Sequence, residues 1–170
     1  MAYFEQNSAV KNYDQELVND LTAMLPATLK IALLRFLNKE SIQNVKFLQN
    51  RSDTFYLNYL EKFKPMHFDK EEILYEKGHK AREIFISTSG EMLIEQSNRI
   101  LKYGSMIGQD EILFKQNRQY TVIAHTELQV LRLEKDDFMK MMKEFPEIMA
   151  AITEQANLRK LYTQKQMETR

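Results

Sequence analysis

The spacing of apolar residues changes at Pro65, and no other feature of the sequence constrains the fold as strongly. Before Pro65, apolar residues such as Leu29, Leu33 and Leu37 repeat at helix spacing, and no glycine interrupts them. After it, short apolar runs alternate with turn residues at roughly 8–12-residue spacing, which is typical of an antiparallel sandwich or barrel. The sequence therefore predicts a helical segment followed by a β-domain.

Local signals predict the individual elements. Asn38 ends the first helical run, and Ser41 and Asp53 are residues of the types that cap the start of a helix. Two more helices are predicted near the C-terminal end, beginning at Asp136 and at Pro146. The predicted strands are residues 72–75, 84–86, 92–94, 120–123 and 128–133.

These elements together predict an α+β fold. We expect an antiparallel, jelly-roll-like β-roll of about eight strands, with helices before and after it. The predicted boundaries are residues 1–63 for the leading helices and 64–170 for the domain that contains the roll. Within that domain we expect the roll at 64–133 and two helices at 134–170.

Composition narrows the possible functions. Lys and Arg together number 24, as do Asp and Glu, so the chain lacks the basic excess that is usual in nucleic-acid-binding proteins. The absence of cysteine excludes disulfides and thiolate metal sites. The sequence has neither a signal peptide pattern at its start nor an apolar run long enough to span a membrane, so we expect this chain to be soluble.

The few chemical motifs indicate a binding site and no catalytic centre. His67, His79 and His125 lie singly, without the spacing of metal ligands, so no metal site is expected. No nucleophile accompanies a base, and no Walker or Rossmann loop occurs. We therefore expect that the protein is not an enzyme and that it has no cofactor.

Glycine usage selects one segment for closer attention. The chain has only four glycines, and three of them fit turns between strands. Gly108 instead precedes a short helix-like stretch, and Arg118 follows ten residues later, just before a predicted strand. An arginine that returns to such a turn can bind a phosphate through two charge-assisted hydrogen bonds, although a surface ion pair is the simpler interpretation of an isolated arginine.

The order of these features resembles the cyclic nucleotide-binding domain family. Glu76 to Gly78, Arg82 to Ile86 and Ser89 to Met92 resemble the early strands of that domain. Gly104, Ile107 to Gln109 and Arg118 to Ala124 resemble its phosphate-binding cassette, and the segments that follow, residues 128–133, 137–138 and 145–146, resemble its last strand and hinge helix. The similarity extends from about Pro65 to Leu161, and all four glycines fall on family positions.

The leading helices have a resemblance of their own. Leu25-Pro26, Leu29-Lys30, Leu37-Asn38 and residues 45–48 resemble the C-linker of cyclic-nucleotide-gated, hyperpolarisation-activated and related voltage-gated potassium channels. This similarity favours a channel over a kinase regulatory subunit or a bacterial transcription factor. The resemblance to the cyclic nucleotide-binding domain family implies that the last two helices act as a hinge and a lid.

The resemblance implies a set of ligand-binding residues. Arg118 stands where the family holds the cyclic phosphate, and Gly108 begins the turn around phosphate and ribose. Gln119 stands at a position that often influences the choice of purine, and Arg159 matches a position on the lid helix that often covers the base. The full expected set is Ile107, Gly108, Gln109, Asp110, Arg118, Gln119, Tyr120 and Arg159.

Two residues depart from the family pattern. Gln109 replaces a glutamate that accepts a hydrogen bond from the ribose 2′-OH, and a neutral acceptor there should weaken binding by about 1–2 kcal/mol, roughly tenfold. Tyr120 replaces a small residue beside the phosphate, so its ring can crowd the pocket, turn outward or fill it. An alternative expectation is therefore a domain whose pocket is empty or occupied by the chain itself.

The resemblance implies a cytosolic regulatory domain of an ion channel. Such a domain binds cAMP or cGMP and transmits the binding through linker helices to a gate in the channel's own transmembrane domain. Its expected location is the cytoplasmic side of a membrane, in a homotetramer assembled through the linker, or as a monomer for this portion alone. A domain that does not bind nucleotide, a kinase regulatory module and a sodium/proton exchanger domain remain alternatives.

Overall fold

The structure is a computed structural model that describes residue 20 and residues 23–168, with side chains described as far as Leu158. The leading part of the described chain is helical. It contains α1 (Ala27–Leu37), α2 (Lys39–Asn44) and α3 (Asp53–Tyr59), together with two single 3₁₀ turns at Lys46–Leu48 and Leu60–Lys62. The part of the predicted linker before residue 23 lies outside the described residues, apart from residue 20.

The helix ends show the expected capping chemistry at shifted positions. Asn38 ends α1, and its side-chain amide donates to the carbonyl oxygen of Leu34 at 2.9 Å. Ser52, and not Asp53, caps α3, because its hydroxyl accepts from the backbone N–H of Phe55 at 3.2 Å. The capping role expected for Ser41 is wrong, because α2 already begins at Lys39.

The β-domain has eight strands and three helices. The strands are β1 (Lys64–Phe68), β2 (Ile73–Tyr75), β3 (Glu83–Ser89), β4 (Met92–Ile94), β5 (Arg99–Leu101), β6 (Met106–Ile107), β7 (Val122–Ala124) and β8 (Leu128–Glu134). A short helix, α4 (Gln109–Leu113), separates β6 from β7, and α5 (Lys135–Glu144) and α6 (Pro146–Glu168) follow the last strand. The predicted α+β fold with an eight-stranded antiparallel roll is confirmed.

The strands form two four-stranded antiparallel sheets. Their orders are β1-β8-β3-β6 and β2-β7-β4-β5. In strand β3, as in any strand, successive side chains point to opposite faces of the sheet. Phe85 lies between the two sheets, whereas Ile84 and Ile86 lie in the core that the first sheet shares with the helices.

That second core joins the leading helices to the closing helices. Phe55 of α3 contacts the ring of Phe145, between α5 and α6, with ring centroids 5.4 Å apart, and Tyr59 contacts the same ring at 5.9 Å. Phe138 of α5 and Ile148 of α6 are buried in the same cluster. A displacement of α6 therefore changes the packing of α3 directly, because close-packed cores have few voids to absorb movement.

Neither the division at residues 63 and 64 nor the hinge and lid roles are tested by this geometry, and both stay predictions. No helix among the described residues is long and apolar enough to cross a membrane.

Candidate functional site

A cavity of about 510 Å³ lies where three parts of the structure meet. The leading helical segment contributes Lys46, Phe47 and Arg51 to its wall. The roll and α4 contribute Ile94, Arg99, Leu101, residues 104–110 and Tyr120, and the first turns of α6 contribute Glu147, Ile148, Ala151, Ile152 and Gln155. A molecule bound in this cavity would contact all three parts at once.

The wall combines apolar surface with several charges. Ile107 of the roll and Ile148 and Ile152 of α6 supply apolar area. The charged groups are Lys46, Arg51 and Arg99 against Asp110 and Glu147, an excess of one positive charge. Apolar walls with a few placed polar groups are the usual character of a small-molecule site, and one net positive charge suits a ligand with one negative charge.

Position 108, between β6 and α4, requires glycine because of its backbone conformation and because a side chain would not fit there. Its φ is 91°, a left-handed conformation that glycine adopts without strain. A Cβ at this position would collide with the guanidinium of Arg118 and would lie 3.0 Å from the carbonyl oxygen of Glu83. The absence of a side chain at Gly108 therefore makes room for the close approach of the Arg118 guanidinium.

The Arg118 side chain lies inside the wall of the roll and is fully buried. It donates to the Gly108 carbonyl oxygen at 3.2 Å, to the Glu83 carbonyl oxygen at 2.5 Å and to the Glu83 carboxylate at 3.3 Å. Its guanidinium carbon lies 4.1 Å from the centroid of the Tyr75 ring. Glu83 thus supplies the charge that neutralises Arg118, and Tyr75 covers one face of the guanidinium.

Five of the eight expected site residues line the cavity: Ile107, Gly108, Gln109, Asp110 and Tyr120. Arg118 and Gln119 do not line it, and the exposed Gln119 side chain instead donates to the carbonyl oxygen of Asn117 at 2.8 Å. Arg159 belongs to α6, but its side chain lies outside the described residues.

The two residues that depart from the family pattern both face the cavity. Gln109 is 5% exposed, and its side-chain oxygen has no hydrogen-bond partner among the described residues. A buried acceptor without a partner costs free energy, so a ligand hydroxyl that donates to it would recover a hydrogen bond. Tyr120 is half-buried and packs against the core between the sheets while lining the cavity. It therefore takes up part of the space that a small residue would leave open.

Glu111 is a buried acid that sequence reasoning did not single out. It is 2% exposed, and one of its carboxylate oxygens accepts from the backbone N–H of Gln119 at 3.4 Å. Burial raises the pKa of the Tyr75 phenol far above its ordinary value, and the nearby Glu111 carboxylate raises it further. Glu111 and Arg118 therefore both lie close to the side chain of Tyr75.

Arg51 is the second residue that sequence reasoning missed. Its Nε donates to the Phe47 carbonyl oxygen at 2.7 Å, and its guanidinium carbon lies 5.1 Å from the Phe47 ring centroid and 5.8 Å from that of Phe55. Burial lowers the pKa of Arg51, while Glu147 opposes this shift. An available signal was the position of Arg51, four residues after one phenylalanine and four before another, which allows one guanidinium to reach two aromatic rings.

The comparison with protein families supports the sequence resemblance. Residues 65–145 match the family model described as Cyclic nucleotide-binding domain. The chain carries a cyclic nucleotide-binding domain. That match covers the roll and α5, and it includes α4 and Arg118. No curated protein sequence matches the chain significantly.

Solved structures share the fold of this cyclic nucleotide-binding domain. PKAR CBD2 bound to Sp-2Cl-cAMPS is 19% identical, with a TM-score of 0.64, and the match covers 79% of this chain and 92% of that one. The cAMP-bound PfPKA-R fragment is also 19% identical, with a TM-score of 0.62 over 77% of this chain. This chain spans about half, 48%, of that second structure. At this identity the comparison shows the fold alone, and a channel context does not follow from it.

No group of three or more potential metal-binding side chains occurs in the described part of the chain.

Proposed function

We propose that this cyclic nucleotide-binding domain binds cAMP or cGMP in the cavity and transmits the binding to the leading helices. The observation that carries the proposal is the shared cavity wall, to which Arg51 of the linker, Gln109 of the roll and Ile148 of α6 all contribute. A cavity of about 510 Å³ is within the range of about 300–1,000 Å³ that small-molecule sites occupy.

The polar groups of the wall suit a purine nucleotide. The buried, unpartnered oxygen of Gln109 can accept a hydrogen bond from a ribose hydroxyl. Arg51, Lys46 and Arg99 provide positive charge that faces the cavity. Arg118 does not line the cavity, so contact between the phosphate and its guanidinium requires a movement of this side chain or of the wall in which it is buried.

The packing provides a route for transmission. A ligand that contacts Ile148 and Ile152 favours one position of α6, and Phe145 at the start of this helix contacts both Phe55 and Tyr59 of α3. Binding can shift the resting–active equilibrium by no more than the difference in ligand affinity between the two states.

We place the domain on the cytoplasmic side of an ion channel, where the linker helices connect it to a pore. The support is the linker resemblance of residues 25–48, which also suggests a homotetramer in the assembled channel. The kinase regulatory subunits among the similar structures share the fold at 19% identity, which does not favour a kinase function over a channel function.

One observation favours a second candidate function, a regulatory domain that works without nucleotide. Arg118 is sealed behind Glu83 and Tyr75, and the Tyr120 ring lies on the cavity. In this alternative the chain's own side chains hold α6 and the linker in place, and the regulation comes from elsewhere in the protein.

Calorimetric titration of cAMP and cGMP into the wild-type chain separates the two functions. The proposal predicts saturable binding that Gln109→Leu weakens roughly tenfold, because the ribose acceptor is lost. Gln116→Leu is the matched control, since this glutamine is exposed and outside the cavity wall. Absence of binding up to millimolar nucleotide, in a folded wild-type chain and in a Tyr120→Ala variant, would favour the nucleotide-independent function.

A further inference from the structure

Glu111 is an unusual residue for its place in the roll. It lies in α4, its side chain is 2% exposed, and its second carboxylate oxygen has no hydrogen-bond partner among the described residues. No Lys or Arg side chain in the described part of the chain forms an ion pair with it. A carboxylate buried without a salt bridge costs free energy that the fold alone does not require.

This carboxylate lies next to the arginine that the family resemblance assigns to the phosphate, behind the cavity wall. One of its oxygens accepts from the backbone N–H of Gln119, the residue that directly follows Arg118. The ring of Tyr75 stacks against the Arg118 guanidinium, and the Glu111 carboxylate acts on the ionisation of the same ring. The Gln119 N–H and the neighbouring Arg118 guanidinium are groups of the kind that bind the phosphate of a ligand. The Gln119 N–H already donates to the carboxylate of Glu111.

We propose that Glu111 is a built-in anion that occupies the phosphate position beside Arg118 and the Gln119 N–H. This inference rests on the proposed function, because it names the residue that opposes the phosphate of the nucleotide. The carboxylate and the phosphate compete for one N–H donor, and two negative charges at one buried site repel each other. Glu111 thereby lowers the affinity of the wild-type chain for anionic nucleotides.

Glu111→Gln tests this role, because it removes the charge and keeps nearly the same shape. We expect it to raise the affinity for cAMP by about tenfold or more in a calorimetric titration, since a like charge within contact distance of an ionised group opposes it by at least that factor. Glu95→Gln is the matched control, because Glu95 is an exposed acid of the same domain that lies outside the cavity wall. We expect it to change the affinity by less than about threefold, because the effect of a charge falls with distance.

Two outcomes of this titration would overturn the inference. The first is wild-type binding that Glu111→Gln leaves unchanged or weakens, which would make Glu111 a structural or supporting residue. The second is an equal gain in Glu111→Gln and Glu95→Gln, which would show a general effect of net charge and no specific occupation of the phosphate position.

Inorganic phosphate separates the failure of this inference from the failure of the proposed function. We expect phosphate to raise the melting temperature of Glu111→Ala more than that of the wild-type chain at constant ionic strength, because the truncation vacates an oxyanion site. If phosphate stabilises Glu111→Ala selectively and no variant binds a cyclic nucleotide, Glu111 retains its role and the proposed function fails. If Glu111→Ala does not fold, the same comparison is made with Glu111→Gln, and an absence of selective stabilisation by phosphate overturns the inference.

Discussion

Arg118 and Arg51 use similar contacts for different purposes. Each guanidinium stacks on aromatic rings, and each donates to a main-chain carbonyl oxygen. Arg118 is fully buried and paired with Glu83, whereas Arg51 is half-buried and lines the cavity opposite Glu147. The arginine that the family resemblance assigns to the ligand therefore supports the wall of the roll, and the arginine that faces the cavity belongs to the linker.

This difference shows that one arginine can support the wall of the site while another faces the cavity. A guanidinium that holds Glu83 and Gly108 together fixes the shape of the wall, but Arg118 lies outside the cavity and contacts a ligand there only if the wall moves. Under the proposed function, a guanidinium of the leading helical segment contacts the ligand without disturbing the roll, so this segment senses the ligand directly. Four substitutions separate the structural role of Arg118 from the ligand-facing role of Arg51.

Arg118→Ala should have the largest effect on stability. Its removal leaves the Glu83 carboxylate and two carbonyl oxygens without their donor in a buried site, and we expect a loss of about 3–5 kcal/mol in the free energy of unfolding. Urea denaturation measures it, with the exposed Arg82→Ala as the matched control. A loss below about 1 kcal/mol would contradict a structural role for Arg118.

Glu83→Gln should have an intermediate effect. The variant keeps the two carbonyl contacts of Arg118 but removes its negative partner, so we expect a loss of about 2 kcal/mol in the free energy of unfolding. Glu134→Gln is a suitable control, because Glu134 is the cross-strand partner of Glu83 and pairs with Arg132 near the surface, where such pairs contribute about 0–1 kcal/mol. Equal losses in the two variants would show that the Arg118 pair behaves as a surface ion pair.

Arg51→Ala should cost only about 1 kcal/mol of stability, since it removes one side-chain hydrogen bond and contacts with two aromatic rings at a half-buried position. Its effect on the affinity for cAMP should be larger than that of Arg35→Ala, a linker arginine outside the cavity that pairs with Asp53. Paired denaturation and calorimetry measure both quantities. Unchanged nucleotide affinity in Arg51→Ala would remove the linker arginine from the ligand site.

Tyr75→Phe should have the smallest effect. The phenol oxygen of Tyr75 has no hydrogen-bond partner among the described residues, while the ring that stacks on Arg118 is retained. We expect a change within about 0.5 kcal/mol of zero, or a small stabilisation, because a buried hydroxyl without a partner contributes nothing to offset its desolvation. A thermal melt compared with the exposed Tyr103→Phe measures it, and a loss above about 1 kcal/mol would contradict this account of the phenol.

The sequence predicted the features of the fold that depend on neighbouring residues. The change of periodicity at Pro65 marks the start of the roll, and the four glycines all adopt positive φ. Strand β1 was missed because it contains Pro65, which is tolerated there because β1 is an edge strand. Strands β5 and β6 were also missed, because they have only three and two residues and exist by pairing with β4 and β3. Such short segments carry too few residues to show a period of two.

The sequence predicted which residues belong to the site better than it predicted where their side chains lie. Gly108 and Gln109 lie on the cavity because both belong to the local turn between β6 and α4. The orientation of Arg118 depends on Glu83, which is 35 positions away along the chain, and the exposure of Arg51 depends on the packing of α3 against Phe145. These contacts arise from tertiary structure, which local sequence patterns do not specify.

Hydrogen–deuterium exchange with and without saturating cyclic nucleotide tests the central claim most directly. The account predicts protection in residues 46–51 and 146–155 as well as in 107–110, because the ligand contacts the linker, α6 and the roll together. Protection confined to the roll, with no change in the linker segment, would contradict the proposed transmission from the cavity to the leading helices.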